Sequence, residues 1–341
     1  MPITIVDVAR QAGVSKSTVS RYLNNKYECM SGETRERIAG VIAELDYHPN
    51  AVARSLKQKK THTVGAIIAN ILNPFSTSVI RGIEDYCKKS GFNLILCNAD
   101  DDPTKEKEYI EMLTAKQIDG LIINTTGRNN DIVCAVNQSL PVVLIDRKVP
   151  EINIDTVAVD NIKGAALAIT HLVRQGYRRI AMFTLPYDSI SPRRERVQGY
   201  RQALAEHGIA FQSELLVETA PEAETVREKL LALMAGSREP LAIFGMNNLM
   251  TMAIIKALKK MNVNIPRDIA LLGFDDWEWA ELLDPPITVV RQPTYQIGWR
   301  AATLLIKRAK SRGRQQRPSL VVFEPELVAR RSCREEEQLP E

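Results

Sequence analysis

Residues 14–24 read VSKSTVSRYLN, a short segment in which most side chains are polar. Val19, Tyr22 and Leu23 fall on one face of a helix, and Ser15 is a suitable N-cap residue. The remaining face carries hydrogen-bond donors, which is typical of a helix that enters the major groove of DNA. A polar helix taken alone is more often a solvated surface, so the interpretation depends on its neighbours.

Flanking segments can hold such a helix at a fixed angle. Thr4 and Asp7 have capping-box spacing, in which the Thr4 hydroxyl accepts the amide three residues on, and Gly13 permits a sharp turn. A third helix is expected to start at Ser31. Apolar residues recur at helical spacing in the first and third helices, namely Ile5, Val8, Ala9 and Ala12, then Ile38, Val41, Ile42 and Leu45. The pattern predicts an all-α helix-turn-helix domain over residues 1–48.

The net positive charge lies at the amino end of the chain. The 341 residues contain 45 Lys/Arg and 41 Asp/Glu, a net charge of +4. Residues 1–62 contain ten Lys/Arg and six Asp/Glu, so this segment accounts for the whole excess. Phosphate binding is therefore expected at the amino end.

A proline at position 49 separates the third helix from a short segment of helical composition, residues 50–57, with Asn50 as its expected cap. Such a segment is too short to be a stable helix alone in water, and the lysines beside it repel one another without a polyanion. Residues 49–60 are interpreted as a hinge helix and linker that fold on DNA.

These motifs, taken in order, resemble the LacI/GalR family of bacterial transcription regulators over almost the whole chain. The matching stretches are IVDVA at 5–9, AGVS at 12–15, TVSR at 18–21 and the hinge from Pro49 to Leu56. The resemblance implies that Lys16 and Ser17 read bases and that Leu56 wedges into the central base step. The predicted DNA-binding residues are Thr4, Ser15, Lys16, Ser17, Thr18, Ser20, Arg21, Asn24, Asn50, Ala53, Arg54 and Leu56. The partner is a palindromic double-stranded operator, which requires a homodimer.

Beyond Thr61, short apolar runs alternate with amphipathic segments, the pattern of parallel sheets covered by helices. The predicted strands are 64–69, 93–97, 120–124, 142–145, 179–183, 214–217, 241–244 and 270–273. The resemblance implies a two-lobed α/β effector-binding and dimerisation domain over 61–330, like that of periplasmic binding proteins. Its lobe 1 covers about 61–160 and 290–323, and its lobe 2 about 161–289 and 324–330. Residues 331–341 lack a leucine heptad and are expected to be a disordered tail.

Polar residues follow the predicted strands, where ligands of open parallel sheets bind. The resemblance assigns effector binding to Asp146, Arg196, Asn247 and Asp275, with Phe75 stacking on a sugar ring. Any one of these residues could instead cap a loop or join the lobes. Asn248 stands where the family often has Asp, which weakens a second acidic role. The predicted effector-binding residues are Asn73, Phe75, Ser76, Asn124, Asp146, Arg147, Arg194, Arg196, Asn247, Asp275 and Gln292.

The arginine-rich run at 193–196, with Arg147, favours an anionic effector. Residues 69–77 and 98–103 also resemble regulators of 2-keto-3-deoxygluconate use in pectin and uronate catabolism. The chain is expected to be a repressor with that acid as the first expectation for its effector, and gluconate, a sugar phosphate or a neutral hexose are alternatives. The ligand can act as inducer or as corepressor, because linkage allows both signs.

Other classes of protein fit the sequence less well. The chain has no apolar run that spans a bilayer and no signal peptide, so a cytoplasmic protein is expected rather than an exported sugar-binding protein. It shows neither a phosphate loop after a strand nor a paired catalytic set, so it is not expected to be an enzyme. Five scattered cysteines and four isolated histidines predict no disulfide framework, no metal site and no cofactor.

Overall fold

The computed structural model describes residues 3–28, 30–48, 60–311 and 317–334. It divides into two compact units, Met1–Thr61 and His62–Glu341. Almost all of the predicted hinge, including Asn50, Ala53, Arg54 and Leu56, lies outside the described residues, as does the tail after residue 334.

The first unit contains three helices: α1 (Ile5–Gln11), α2 (Lys16–Leu23) and α3 (Gly32–Glu44). Ser15 Oγ accepts the Thr18 amide at 3.1 Å, and Ser31 Oγ accepts the Thr34 amide at 3.3 Å. Gly13, at φ +62°, makes the turn between the first two helices. The helices share a core formed by Val8, Ala9, Ala12, Val19, Ile38, Val41 and Tyr47.

A capping box joins Thr4 and Asp7 at the start of α1, as their spacing predicts. The Thr4 hydroxyl donates to the Asp7 carboxylate at 2.6 Å. That carboxylate also accepts the Thr4 amide at 3.0 Å, whereas the Asp7 amide donates to the Thr4 carbonyl at 3.0 Å. An ionised carboxylate is a stronger acceptor than a hydroxyl, so Asp7 accepts hydrogen bonds from both the amide and the hydroxyl of Thr4.

The second unit has two lobes, each built on a six-stranded sheet. Lobe 1 is wholly parallel, in the order β11-β5-β4-β3-β1-β2. Its strands are β1 (Thr63–Ile68), β2 (Asn93–Asn98), β3 (Gly120–Ile123), β4 (Val142–Ile145), β5 (Asp155–Val159) and β11 (Leu320–Phe323). Its helices are α4 (Pro74–Lys89), α5 (Pro103–Ala115), α6 (Asn130–Ser139) and α12 (Thr294–Lys310).

Lobe 2 has the order β12-β10-β9-β8-β6-β7, in which only β12 is antiparallel to its neighbour. Its strands are β6 (Arg179–Thr184), β7 (Leu216–Glu218), β8 (Leu241–Gly245), β9 (Ile269–Phe274), β10 (Thr288–Arg291) and β12 (Glu326–Val328). Its helices are α7 (Asn161–Arg174), α8 (Ser191–Glu206), α9 (Ala223–Gly236), α10 (Asn248–Lys260) and α11 (Glu278–Leu282). The chain passes between the lobes three times, after β5, after β10 and after β11.

The structure departs from the predicted strands in two respects. The strand predicted at 214–217 begins instead as a 3-10 turn, Ser213–Leu215, and only Leu216–Glu218 joins the sheet. Strands β5, β10, β11 and β12 were not predicted as strands. Both β11 and β12 are short edge strands with exposed or half-buried residues. The three residues of β12 also lack the continuous apolar run of a buried strand.

One ion-pair cluster in lobe 2 gives a pH-dependent prediction. Asp276 accepts hydrogen bonds from Arg330 at 2.8 and 3.1 Å and from Arg291 at 2.6 and 2.9 Å. Burial acts to raise the pKa of Asp276, but the bonds from Arg330 and Arg291 hold it below the ordinary value of 3.8. This carboxylate therefore stabilises the fold above about pH 4, and the contribution is lost as pH falls through the folded-state pKa.

We expect Asp276→Asn to lower the free energy of unfolding by about 2 kcal/mol at pH 7, because hydrogen bonds to a charged group are lost. The difference from wild type should shrink as pH falls below about 4. Urea unfolding between pH 7 and pH 3 measures it, with the exposed Glu281→Gln as a control for charge. A difference that stays constant over this range would contradict the assignment.

Candidate functional site

The exposed face of α2 carries Lys16, Ser17, Arg21 and Asn24. Several polar groups are satisfied locally, since Ser15 Oγ bonds Ser17 Oγ at 2.7 Å and Asn24 Nδ2 donates to the Ser20 carbonyl at 2.6 Å. No ion pair within 4 Å joins Lys16 or Arg21 to an acidic residue in the described part of the chain. These two cations are therefore available for phosphates or base edges.

The other predicted DNA-binding residues of this unit are more constrained. Thr18 and Ser20 are half-buried, and the Thr18 hydroxyl lies 2.8 Å from Ser15 Oγ. Thr4 is exposed, but its amide and hydroxyl are both bonded to Asp7. Among the described residues, α2 therefore carries two cations without an ion-pair partner, Lys16 and Arg21. The polar side chains around them bond mostly to one another.

The second unit has a small cavity between its lobes. Eight of the predicted effector residues line it, namely Asn73, Phe75, Asp146, Arg147, Arg196, Asn247, Asp275 and Gln292. Four residues not predicted, Ile190, Pro192, Arg193 and Met246, complete the lining. Ser76, Asn124 and Arg194 do not line it. Residues distant in sequence therefore meet at the carboxyl ends of the strands.

Two of the lining residues also cap helices. Asn73 accepts the Phe75 amide at 3.2 Å at the start of α4, and Asn247 accepts the Met250 amide at 2.9 Å at the start of α10. Their side-chain oxygens are thus committed to the fold. The sequence had left open that any one of the predicted effector residues caps a loop or joins the lobes instead.

Asp146 and Asp275 lie at equivalent places in the two lobes. Each directly follows a strand, β4 or β9, and each has a left-handed backbone, at φ +63° and +79°. Such a conformation is uncommon for residues other than glycine and clusters at ligand sites. Asp275 Oδ1 accepts from Gln292 Nε2 at 2.6 Å, and Asn124 Nδ2 lies 3.4 Å from Asp146 Oδ2.

Arg196 is buried and held on several sides. Its Nε donates to Asn161 Oδ1 at 2.9 Å, its Nη1 donates to the Met246 carbonyl at 2.8 Å, and its guanidinium lies 3.6 Å from the centre of the Phe274 ring. Burial lowers the pKa of this group, and Asp275 opposes that shift. Arg196 is thus a fixed cation at the centre of the cleft.

The two cleft carboxyls have pKa values above their ordinary range. Burial raises the pKa of both Asp146 and Asp275, and the charge of Arg196 opposes the shift at each. A carboxyl of this kind accepts hydrogen bonds from ligand hydroxyls when ionised and donates one when protonated. The pair suits a ligand with several hydroxyl groups.

Arg147 is fixed by a network behind the cleft. Its Nη1 donates to the Thr125 carbonyl at 2.9 Å, and its Nη2 donates to Asp101 Oδ1. The loop that carries Thr125 is bound to the fully buried Glu106, which accepts from the Thr126 amide at 2.6 Å and from Asn129 Nδ2 at 3.0 Å. Glu106 thus positions the loop that orients Arg147.

Two residues that line the cavity carry a buried polar atom that makes no hydrogen bond to any described residue, Arg147 Nε and Gln292 Oε1. Asn124 Oδ1 and Asn248 Oδ1, which belong to residues outside the lining, are also without such a partner. Buried polar atoms in folded proteins are usually paired, with protein, water or ligand. Their grouping here marks a place where a polar molecule can bind.

The lobes are joined beside this cavity. Lys148 Nζ lies 2.9 Å from Glu195 Oε1, and the Lys148 amide donates to Ser191 Oγ at 2.7 Å. The cavity volume is about 60 Å³, room for about two water molecules, whereas ligand pockets usually exceed about 300 Å³. A sugar-sized ligand therefore requires these lobes to move apart.

Arg193 belongs to the arginine-rich run expected at the cleft, but the predicted effector-binding residues included Arg194 in its place. Arg194 is exposed and donates to the Asp188 carbonyl at 3.0 Å, whereas Arg193 lines the cavity. Residues three apart share a helix face, so the spacing of Arg193 and Arg196 on α8 could have shown that both face the cavity.

In the described ranges, no group of three or more His, Cys, Asp and Glu residues is placed to hold a metal ion. No described helix combines the length and apolar character needed to cross a membrane.

Comparison with known proteins gives matches over both units. A family profile described as "Bacterial regulatory proteins, lacI family" matches residues 4–50, and one described as "Periplasmic binding proteins and sugar binding domain of LacI family" matches residues 61–321. The HTH-type transcriptional regulator KdgR of Bacillus subtilis (strain 168) is 38% identical over 331 residues, which cover 96% of this chain and 97% of that protein.

Solved structures agree. The transcriptional regulator CelR in complex with cellobiose has a TM-score of 0.71 and 28% identity, covering 97% of this chain and 99% of that one. The lac repressor dimer bound to operator and the anti-inducer ONPF has a TM-score of 0.84 and 24% identity, covering 98% and 99%. The second likeness bears on the fold alone, which agrees with the predicted helical head and two-lobed α/β domain.

Proposed function

The chain belongs to the LacI family of bacterial regulatory proteins, and from this premise we propose that it represses genes of sugar-acid catabolism until a six-carbon sugar acid binds its cleft. It is a DNA-binding transcriptional regulator and not an enzyme. The observation that carries the effector proposal is the meeting of two carboxyls and three guanidiniums in one interlobe cavity.

The DNA-binding part of the proposal rests on α2. We assign residues 1–48 as the DNA-binding domain, 49–60 as the hinge and linker, and 61–330 as the effector domain. Lys16 and Ser17 stand in the first turn of the exposed helix, where a docked recognition helix reaches base edges. A homodimer would present two such helices to a palindromic operator.

The chemistry of the cleft supports a sugar acid. Asp146 and Asp275 suit hydroxyl groups, and the arginines suit a carboxylate. The 38% identity with KdgR supports the same class, and 2-keto-3-deoxygluconate is our first choice within it. CelR, solved with cellobiose, favours the second candidate, a regulator that responds to a neutral sugar.

The mechanism follows from linkage. A ligand shifts the DNA-competent population only by its difference in affinity between the two lobe arrangements. The Lys148–Glu195 ion pair joins the lobes in the described arrangement. When this ion pair breaks or forms again, the relative position of the two lobes changes together with the width of the cleft. We propose that effector binding changes the pairing of lobe 1 between subunits and thereby releases the hinge.

The test is operator binding by the full chain, measured by fluorescence anisotropy on duplexes selected from a randomised library. We expect saturating 2-keto-3-deoxygluconate to weaken binding at least about tenfold, a coupling of about 1.4 kcal/mol. If the ligand instead tightens operator binding, it acts as a corepressor and not as an inducer. If no six-carbon acid changes binding and a neutral sugar does, the second candidate function is correct.

The same assay tests whether α2 reads the DNA sequence. Lys16→Ala should weaken binding to the selected duplex by about 1–3 kcal/mol and reduce the preference over random DNA. Lys26→Ala removes the same charge from the exposed turn after α2 and should change the preference little. If the two variants have equal effects, Lys16 contributes only general electrostatic attraction to DNA and does not read the base sequence.

A further inference from the structure

Three arginines line the interlobe cavity, but they are not equivalent. Arg147 is paired with Asp101, and its guanidinium is fixed by the Thr125 carbonyl. Arg196 has Nε and Nη1 committed to Asn161 and Met246. Each therefore has two of its three guanidinium nitrogens hydrogen-bonded to the protein itself.

Arg193 has a different set of contacts. Its Nη1 donates to the Pro186 carbonyl at 2.9 Å, and its side chain is half-buried. Within residues 3–28, 30–48, 60–311 and 317–334, no carboxylate lies within 4 Å of it, and its Nε and Nη2 make no hydrogen bond. The Nε–Nη2 edge is one that can grip a carboxylate with two parallel hydrogen bonds.

The electrostatics of the cleft favour an anion at this edge. Burial lowers the pKa of Arg193 and the charge of Arg147 lowers it further, while Asp101 and Asp146 act in the opposite direction. A bound carboxylate would relieve the repulsion between the guanidiniums. Asp146 and Asp275 would repel the same group, so a ligand with both functions has one favourable orientation, its carboxylate at the arginines and its hydroxyls at the aspartates.

We infer that Arg193 recognises the carboxylate of the effector and makes the cleft selective for sugar acids over neutral sugars of the same length. This inference rests on the proposed function and adds the residue that sets its specificity. Arg193 is contributed by α8 of lobe 2, whereas Asp146 is in lobe 1. A ligand that contacts both therefore spans the two lobes.

The experiment compares ligands of matched size and different charge on the full chain by isothermal titration calorimetry. The probes are 2-keto-3-deoxygluconate and gluconate, each with its neutral primary amide. Wild type should bind an acid at least about tenfold more tightly than the amide of that acid. Arg193→Gln, which keeps a hydrogen-bond donor, should weaken binding of the acid at least about tenfold and that of the amide less than about threefold.

Arg201→Gln is the matched control, because it removes an exposed guanidinium from the same helix. It should leave both affinities within about twofold of wild type. Equal losses for acid and amide in Arg193→Gln, or no loss for either, would overturn the inference while leaving the proposed function intact. Failure of wild type to bind either acid would overturn the sugar-acid function and the inference together.

Discussion

An Arg196→Met variant is expected to lose at least about a hundredfold in affinity for the effector while the operator affinity of the unliganded chain changes little. The positive charge of Arg196 lowers the pKa of both buried carboxyls, Asp146 and Asp275, against the effect of burial, and the substitution removes that charge. Removing a buried, hydrogen-bonded charge from a binding site costs about 2–5 kcal/mol of binding free energy, and about 3 kcal/mol corresponds to about a hundredfold in affinity.

The measurement is calorimetric titration with 2-keto-3-deoxygluconate, alongside thermal unfolding to verify that the variant is folded. Methionine fills much of the volume over the Phe274 ring, which limits the cavity left behind. Arg196→Lys is the second variant. It keeps the charge but loses the planar fork and the stacking, and it should recover only a small part of the affinity. Wild-type affinity in either variant would remove Arg196 from the effector site.

The second large effect concerns folding. Gly298 on α12 and Gly82 on α4 allow these two helices to approach backbone to backbone. A Cβ at Gly298 would lie 1.9 Å from the Val79 carbonyl oxygen, and one at Gly82 would lie 2.1 Å from the Tyr295 carbonyl oxygen. The obstacle is backbone on both sides, so no side chain can turn aside to make room.

We expect Gly298→Ala to destabilise the second unit by about 3 kcal/mol, because the helices must separate to admit the methyl group. In thermal unfolding this corresponds to a fall in Tm on the order of 10 °C. Gly236→Ala is the matched control, since a Cβ there meets only Arg179 Nη2 at 3.9 Å. A change of less than about 2 °C for Gly298→Ala would show that α4 and α12 can move apart at little cost.

The helical head could be read almost entirely from the sequence. Its caps and its apolar spacing depend on residues three or four apart, so the serine caps and the core around Val8, Val19 and Ile38 were predictable. Buried strands such as β3 and β4 were equally clear, because they are short apolar runs. The edge strand β12 was missed because its three residues form no such run, and β5 and β10 were missed although they are largely buried.

The effector cleft was only partly predictable. The resemblance indicated the strand ends, and eight of the eleven predicted residues line one cavity. It could not show which side of α8 faces that cavity, and this decides between Arg193 and Arg194. Nor could it show that Asn73 and Asn247 also cap helices, since that depends on where each helix begins.

The sequence by itself determined the classes of structure, a basic helix-turn-helix head followed by alternating strands and helices, because these follow from local periodicity, capping and charge. Only the tertiary structure decided which arginines are already committed to protein partners and which retains an open edge. The reason is physical: the partners of Arg147 and Arg196 lie up to 50 residues away in the chain, and no local pattern encodes a contact between residues so far apart in sequence.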